Sequence, residues 1–506
     1  MKILITTAAF LFCICVGFLL WHDSAPHDIW WQMANGRLIT ESGSLVTEDP
    51  FTFTVEGSPY LNKYWLYEIL TFKIFSLTGW TGLVILRAIL IIGALISIYL
   101  CIGKKPVWLL MMLLVPALII IDLRISLRAY WFTLLILPVF IRYCIKLFAN
   151  EDFSCKNIGA LLLLQVAWTN LHGEFFWGCL AAAIYFADYA RKQIIARKSH
   201  SNLLRPSLYL LLIFAATLIN PFGYKLVPGL ISEATLVGTN TASTEWMPYV
   251  AVARPLNIIA LLTLIVITTV TLIRAGKNIS IPLAILFVYF ALLSQYSLRF
   301  LGAFAFISCL TAMEHGPYLK TSERMTGRLT EAAACFAITG LLAIITSLCM
   351  GYFYYWQAEN KYFGSGLIEE QFPVKTSEFL KNHSIKGNFI NSWSHGGYLI
   401  WNNWPDIRIA EDGRTSPFPP ELSAQIRAIA DGSEKDLDEF SSKYHVDGAI
   451  VRREYTGLII MLVRKAGWEP LFIGPNSSVW MTDDTIKKQN LQHLVLDIDK
   501  MERVKF

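Results

Sequence analysis

The sequence predicts an α-helical multi-pass membrane protein that carries an α/β domain at its C-terminal end. Of its 506 residues, 55% are hydrophobic and only 16% are charged, and the mean hydropathy is +0.47. Soluble domains carry roughly 25% charged residues, and disordered chains carry few apolar ones. These values therefore exclude a disordered chain, a collagen and a small disulfide scaffold, and the net charge of +5 is too small to indicate a nucleic-acid partner.

About eleven apolar windows are candidates to cross a hydrocarbon core of ~30 Å. They are Ile3–Trp21, Trp80–Ile102, Pro106–Ile121, Ala129–Phe148, Asn157–Leu171, Phe175–Ala190, Pro206–Ile219, Pro255–Ile273, Ile279–Gln295, Phe300–Met313 and Leu329–Phe353. A further stretch, Tyr64–Leu77, mixes aromatic and charged residues, and it is predicted to lie as a helix in the membrane interface.

The distribution of Lys and Arg predicts the orientation of these spans. Every second connection is basic, starting from Lys2, and cytoplasmic connections carry the excess of positive charge. The N-terminus is therefore expected in the cytoplasm and the tail after Trp356 outside. The predicted domains are a transmembrane domain, 1–356, with a first outer loop, 22–79, and an extracytoplasmic α/β domain, 357–506. The alternative that the first span is a cleaved signal peptide stays open.

Short strands and helices alternate after Phe372, which predicts a small α/β domain. The predicted strands are Asn388–Ser392, Tyr398–Asn402, Ile407–Glu411, Gly448–Val451, Leu471–Ile473 and Val479–Thr482. The predicted helices are Val374–Asn382, Leu422–Asp431, Glu434–Tyr444 and Tyr455–Ala466. Because clefts form at strand ends in α/β sheets, Trp393, His395, Asp412 and Arg414 are expected to meet there, with an acceptor-binding or a packing role.

The nine cysteines lie in apolar runs or beside them. This placement is typical of small hydrophobic residues, and it predicts neither a disulfide framework nor a cysteine metal site.

The first outer loop holds the candidate catalytic carboxylates. Asp28 follows His27 and precedes Trp30 and Trp31, so it is either a general base held against aromatic rings or a cap of the following helix. Asp49 precedes Pro50, and it is either a turn residue or a second catalytic or coordinating carboxylate. Gly36 and Gly43 are expected to supply turns.

Three arginines are candidates to bind a phosphate at the outer membrane surface. Arg124 and Arg128 are one helical turn apart, so both side chains point to one side. Arg299 lies at another outer boundary. Guanidinium groups hold phosphates by charge-assisted hydrogen bonds, but arginines at span ends also snorkel to lipid headgroups. Both interpretations stay open.

Further polar residues in the outer connections are candidates to line a pocket. His172 and Glu174 exceed what the short turn after Asn170 requires, and ionisable residues near membrane depth are candidates for function. Asn220 is either a helix stop or a pocket residue. Glu245 lies in a polar loop that is either solvated or mobile over a site.

The order of these motifs resembles the GT-C superfamily of membrane glycosyltransferases. The motifs are Asp-x-Trp-Trp from Asp28, Asp-Pro-Phe from Asp49, Asn-x-His-Gly from Asn170, Asn-Pro-x-Gly from Asn220, and Asp-Gly-Arg from Asp412. The resemblance is to a poorly characterised group of bacterial multi-span proteins in this superfamily, which also includes protein O-mannosyltransferases, oligosaccharyltransferases and the lipid A aminoarabinose transferase. The first outer loop lacks the Asp-x-Asp or Asp-Glu pair of better-known members, and the sequence lacks the Trp-Trp-Asp signature of oligosaccharyltransferases.

The resemblance implies a reaction at the outer face of a bacterial plasma membrane. A sugar would pass from a polyprenyl-phosphate carrier to an acceptor glycan, lipid or protein, with Asp28, or else Asp49, as the base. Arg124, Arg128 or Arg299 would stabilise the departing lipid phosphate. His27, Trp31, Asn170, His172, Glu174, Asn220 and Glu245 would line the pocket. A divalent metal is compatible with the superfamily but is not indicated by any motif of this sequence.

Two other function classes stay open on the sequence alone. A transporter or flippase of a lipid-linked substrate would show polar residues at mid-span and inverted repeats. A non-catalytic envelope assembly protein would use the outer α/β tail to bind partners.

Overall fold

The computed structural model describes residues 1–20, 27–102, 106–122, 125–197, 199, 201–237, 254–319, 322–352, 368–414 and 416–497. The α-helices in chain order are α1 (Lys2–Leu20), α2 (His27–Ser42), α3 (Trp65–Ile102), α4 (Val107–Asp122), α5 (Tyr130–Cys144), α6 (Cys155–Leu171), α7 (Phe176–Ile195), α8 (Ser201–Ala216), α9 (Leu226–Val237), α10 (Pro255–Ala275), α11 (Ile281–Tyr296), α12 (Leu301–His315), α13 (Glu323–Cys349), α14 (Val374–Asn382), α15 (Trp393–Asn403), α16 (Pro420–Ala430), α17 (Glu434–Tyr444), α18 (Thr456–Arg464) and α19 (Asp483–Lys488). The β-strands are β1 (Gly387–Asn391), β2 (Ile407–Ile409), β3 (Gly448–Arg452), β4 (Trp468–Ile473) and β5 (Ser477–Thr482).

The chain forms two compact units. Unit 1 comprises Met1–Ser24, Trp80–Val227 and Thr241–Gly366, and unit 2 comprises Ala25–Gly79, Pro228–Asn240 and Leu367–Phe506. The first outer loop, which the predicted division placed with the transmembrane domain, thus packs with the C-terminal residues.

Unit 1 is a bundle of apolar helices. In its described residues, each of the eleven predicted windows is helical except for a few residues at its ends. Among the described residues, five helices are long and apolar enough to cross a membrane, and α4, α8 and α11 are apolar but shorter. The predicted number of about eleven spans is therefore not confirmed, because several windows form helices that are short or, as in α7, carry Asp188, Arg191 and Lys192.

Small residues allow the helices of unit 1 to pack closely. Ala8 of α1, Met111 of α4 and Ala333, Ala334 and Ala337 of α13 form one buried cluster. Alanine side chains let helix backbones approach each other, which is the usual packing of helices in lipid.

Unit 2 is an α/β domain with a five-stranded mixed sheet in the order β2-β1-β3-β5-β4. The strands β2, β1 and β3 are parallel, and β5 and β4 continue the sheet in the antiparallel sense. One face packs against residues of the first outer loop, including Trp31, Ala34, Phe51 and Tyr60. The other face packs against α16, α17 and α18.

The first outer loop also extends the sheet at the β2 edge. Thr52 forms a parallel bridge with Ile409, and the Phe53 amide donates to the Ile409 carbonyl at 3.2 Å. The Thr54 hydroxyl donates to the Ala410 carbonyl at 2.6 Å. A long-range backbone pairing therefore joins the loop to the C-terminal residues.

The predicted strand Tyr398–Asn402 is wrong, since these residues lie in helix α15. A short apolar run does not distinguish a strand from a buried helix by its periodicity. The two strands that flank it, β1 and β2, are parallel neighbours, and a parallel pair needs a crossover that is usually a helix.

Gly36 is not in a turn, as the sequence predicted, but inside α2. A Cβ atom at this position would overlap the carbonyl group of Glu68 in α3. The absence of a side chain therefore allows α2 and the first part of α3 to cross in close contact. Gly43 does lie past the helix end, with a φ of 69°.

We predict that Gly36→Ala destabilises the protein by about 1–3 kcal/mol, because the added methyl group has no room against the Glu68 backbone. Thermal unfolding of the detergent-purified chain measures this change. The control is Gly159→Ala in α6, where a Cβ meets nothing within 4 Å. This control is expected to keep or raise the stability, and equal midpoints for the two variants would contradict the close crossing.

Candidate functional site

Asp28 lies in the first turn of α2, at the carboxyl ends of the parallel strands of unit 2. The Trp31 indole donates to Asp28 Oδ1 at 3.4 Å. A Cβ built on Gly413, which follows β2, would lie 2.9 Å from the same oxygen. A carboxylate in the first helical turn is stabilised by the helix dipole. Asp28 is therefore held between its own helix and the turn after β2, and its side chain is half-buried.

His27 and the residues after β1 and β3 lie at the same edge of the sheet. His27 Nδ1 donates to the Ser394 carbonyl at 3.1 Å, and Arg452 Nη1 donates to Ser394 Oγ at 2.9 Å. Gly397 lets α15 approach the His27 carbonyl and the Trp31 ring. Polar groups from the ends of three parallel strands thus meet α2, which is where α/β sheets commonly bind ligands.

His395 is buried behind this edge. Burial, with smaller contributions from Arg452 and His27, lowers the pKa of His395 to about 3. The imidazole is therefore neutral at pH 7. Within the described part of the chain its Nδ1 atom has no hydrogen-bond partner.

Asp49 belongs to a buried ion cluster with Arg414 and Asp412. Arg414 Nη2 lies 2.5 Å from Asp49 Oδ1 and 2.6 Å from Asp412 Oδ2, and Arg414 Nε lies 2.9 Å from Asp412 Oδ1. The side-chain exposures are 1% for Arg414 and 0% for both carboxylates. Asp49 Oδ2 also accepts from the amide and hydroxyl of Thr52. Asp49 is consequently inaccessible to a substrate.

Burial has the largest effect on the pKa values of Asp412 and Arg414. Burial raises the pKa of Asp412, and the neighbouring Arg414 guanidinium opposes this rise. Burial alone would lower the pKa of Arg414, but Asp412 and Asp49 raise it above its ordinary value. The guanidinium also lies 5.0–5.7 Å from the ring centroids of Phe51, Tyr60 and Phe418. Arg414 is therefore charged and enclosed.

Of the four C-terminal residues expected to meet, Asp412 and Arg414 do so through these bonds. Gly396, next to His395, packs against the backbone of Glu411 and Asp412, so the start of α15 also lies beside the turn after β2.

In unit 1 the structure brings together His172, Glu174 and Arg299. Arg299 Nε donates to Glu174 Oε1 at 2.8 Å, and His172 Nδ1 lies 3.8 Å from Glu174 Oε2. The His172 ring is hydrogen-bonded to Thr133 Oγ1 at 2.8 Å, and Thr133 accepts from the Trp168 indole at 2.9 Å. This buried network orients the guanidinium of Arg299, whose side chain is 18% exposed.

Asn170 and Asn220 form side-chain hydrogen bonds to backbone groups of unit 1. The side-chain amide of Asn170 donates to the carbonyls of Val166 and Ile219, both at 2.8 Å. Asn220 Oδ1 accepts from the Phe222 amide at 2.7 Å, which is the hydrogen bond of a turn. Asn170 therefore ties α6 to the turn at Asn220.

The remaining predicted site residues are only partly described. Arg128 is half-buried and precedes α5. Arg124 and Glu245 lie outside the described residues. In the described part of the chain, no group of three His, Cys, Asp or Glu side chains is placed to hold a metal ion.

Sequence reasoning missed Ser394, Arg452 and Glu411 as members of this edge. Arg452 could have been found, because it directly follows the predicted strand Gly448–Val451, as Asp412 directly follows the predicted strand Ile407–Glu411. A small cavity between the sheet, at β1 and β3, and helices α16 and α18 is lined by Ser392, Glu411, Arg427 and Tyr455, among others. Burial raises the pKa of Glu411 to about 8.

Comparison with solved structures identifies the fold. The archaeal oligosaccharyltransferase AglB from Archaeoglobus fulgidus, solved with an inhibitory peptide and a dolichol-phosphate, matches with a TM-score of 0.55 and 10% identity, over 94% of this chain and 74% of that chain. An Archaeoglobus fulgidus oligosaccharyltransferase in the apo form matches with a TM-score of 0.52 and 12% identity, over 92% and 73%. No family model and no curated protein matches the sequence. The fold of this chain is thus similar to that of the two oligosaccharyltransferase structures.

We predict that Arg414→Met destabilises unit 2 by about 3–5 kcal/mol, because it leaves two buried carboxylates without their counter-charge. Thermal unfolding measures the loss. The matched control is Lys386→Met, which breaks the exposed pair with Asp406 and is expected to cost about 1 kcal/mol or less. Similar losses for both variants would contradict a structural ion cluster.

We also predict a pH dependence that is due to Glu411. Its pKa is raised from 4.5 to about 8 on folding, so the folded state binds the proton more tightly. The resulting stabilisation is complete below about pH 4.5 and is lost as the pH rises towards 8. Between pH 5 and 8 the wild type should therefore lose stability relative to Glu411→Gln. A stability difference that stays constant over this range would contradict the prediction.

Proposed function

We propose that this chain is a membrane glycosyltransferase that moves a sugar from a polyprenyl-phosphate carrier to an acceptor at the extracytoplasmic face of a bacterial plasma membrane. The observation that carries the proposal is the GT-C-like fold, which extends over 94% of the chain. The AglB structure with a dolichol-phosphate and a peptide supports a lipid-linked donor and a separate acceptor. The apolar helices of unit 1 are compatible with such a donor.

We assign the general base to Asp28. The acceptor hydroxyl transfers its proton to the Asp28 carboxylate while its oxygen attacks the anomeric carbon. The bond between that carbon and the phosphate oxygen breaks, the carrier phosphate leaves with the electron pair, and the configuration inverts. Asp28 is preferred to Asp49, because Asp49 is fully buried in its ion pair with Arg414.

The protein supports Asp28 through contacts that fix its position. The Trp31 indole hydrogen bond orients the carboxylate, and His27 ties the start of α2 to Ser394. A base that is held in place contributes mainly by its correct position relative to the acceptor hydroxyl.

We assign the binding of the carrier phosphate to Arg128 and Arg299, together with Arg124. Arg299 is oriented by Glu174, so its guanidinium is held before the donor binds. A preorganised guanidinium stabilises the negative charge that develops on the leaving phosphate without reorganisation during the reaction. His172, which is hydrogen-bonded to Thr133, lies beside the other carboxylate oxygen of Glu174. The hydrogen bonds of Asn170 and Asn220 to the backbone hold the segments after α6 and α8 in place.

We predict that Asp28→Asn lowers sugar transfer by about 10²–10⁴-fold, because the amide keeps the size of the side chain but does not accept the proton. The assay uses membrane vesicles and short-chain polyprenyl-phosphate hexoses and pentoses, and mass spectrometry detects glycosylated products. The control is Glu41→Gln on the exposed side of the same helix, which is expected to keep wild-type activity.

Equal transfer by wild type and Asp28→Asn, at equal protein levels, would remove Asp28 from the mechanism. Uptake of a lipid-linked sugar into the vesicles without transfer would contradict the glycosyltransferase itself.

A further inference from the structure

Helix α3 is too long to lie within a bilayer core along its whole length. Its 38 residues correspond to ~57 Å of helix, whereas the hydrocarbon core is ~30 Å thick. Gly79 interrupts it with a φ of 63° and a ψ of −152°. The part after Gly79, residues 80–102, measures ~34 Å and is sufficient for one span. Residues 65–78 are not needed for this span, and they form a separate helical segment that precedes it in sequence.

An aromatic patch of unit 2 is built around this part of α3. Trp401 of α15 lies edge-on to Phe75 at 5.4 Å and to Phe72 at 6.2 Å between ring centroids. The Arg37 guanidinium of α2 lies 4.9 Å from the centroid of the Trp401 ring. Leu77 is 82% exposed and lies two residues before the break at Gly79. We call Arg37, Phe72, Phe75, Leu77 and Trp401 the aromatic patch.

The composition and exposure of the aromatic patch match the headgroup layer of a membrane. Trp401, Phe75 and Arg37 are half-buried, so each keeps a surface outside the domain. Lys73, on the same segment, is exposed. Tryptophan is enriched at membrane–water interfaces, and basic side chains near it interact with lipid phosphates. A large exposed leucine that precedes a span is compatible with contact to lipid.

We propose that the aromatic patch lies in the headgroup layer and anchors the α/β domain to the bilayer through Trp401, a residue more than 300 positions away in sequence from Phe72 and Phe75. The occupant of this surface is lipid rather than a protein partner, because α3 continues from the patch into a membrane span. The inference concerns attachment to the membrane and does not depend on sugar transfer.

The experiment places the photocrosslinker p-benzoylphenylalanine at single positions of the full chain in phospholipid nanodiscs. Position 401 is the test, and position 77 is the positive control. Position 37 is a second test site, should the substitution of Trp401 reduce folding. Position 435, where Lys435 is 83% exposed on α17, is the negative control. Intact-mass spectrometry measures the fraction of protein that carries one added phospholipid.

We expect lipid adducts at positions 401 and 37 at a level at least half of that at position 77, and a level at position 435 that is at least tenfold lower. Adducts at position 77 without adducts at positions 401 and 37 would overturn the proposal. Crosslinks from positions 401 and 37 to another protein chain instead of lipid would also overturn it.

Discussion

The structure of unit 2 depends on one buried arginine. Arg414 bonds to Asp412, two residues before it, and to Asp49, which is 365 residues away in sequence. Placing three charges in a protein interior is unfavourable unless every charge is paired, so the cluster forms only when the loop and the tail are folded together. This requirement explains why the first outer loop belongs to the same compact unit as the C-terminal residues.

The same cluster determines where the candidate base stands. Asp412 and Arg414 enclose Gly413, and Gly413 lies against Asp28. Gly396 and Gly397 let α15 approach the residues after β2 and the start of α2. The loop supplies Asp28, whereas the tail supplies the turn that holds it. The proposed catalytic role of Asp28 and the structural role of Asp49 therefore depend on one arrangement, in which Asp49 pairs with Arg414 and the neighbouring Gly413 lies against Asp28.

The residue pattern within single segments predicted the apolar helices and most of the strands, because each of these elements is favoured by its own sequence. The apolar windows are helices because an apolar run of that length needs its backbone hydrogen bonds satisfied within the segment. Five of the six predicted strands are correct, since β-branched and aromatic residues mark them. Tyr398–Asn402 failed because its short apolar run fits a strand and a helix equally, and only the parallel pairing of β1 with β2 decides between them.

The site was less predictable, because its contacts join distant segments. Nothing near Asp49 or Arg414 shows that they pair, and Asp49 next to a proline has the appearance of an ordinary turn residue. The grouping of His172 and Glu174 was predictable from one short turn, but their bond to Arg299 depends on helix packing. Gly36 was assigned to a turn because a sequence does not show a close helix crossing.

Hydrogen–deuterium exchange of the full-length Asp49→Asn variant tests the central claim most directly. If the ion cluster couples the loop to the tail, exchange should rise together in residues 47–60 and in residues 407–414, while α10 keeps its protection. An increase that is confined to residues 47–60, with wild-type protection of β2 and the turn after it, would contradict the account.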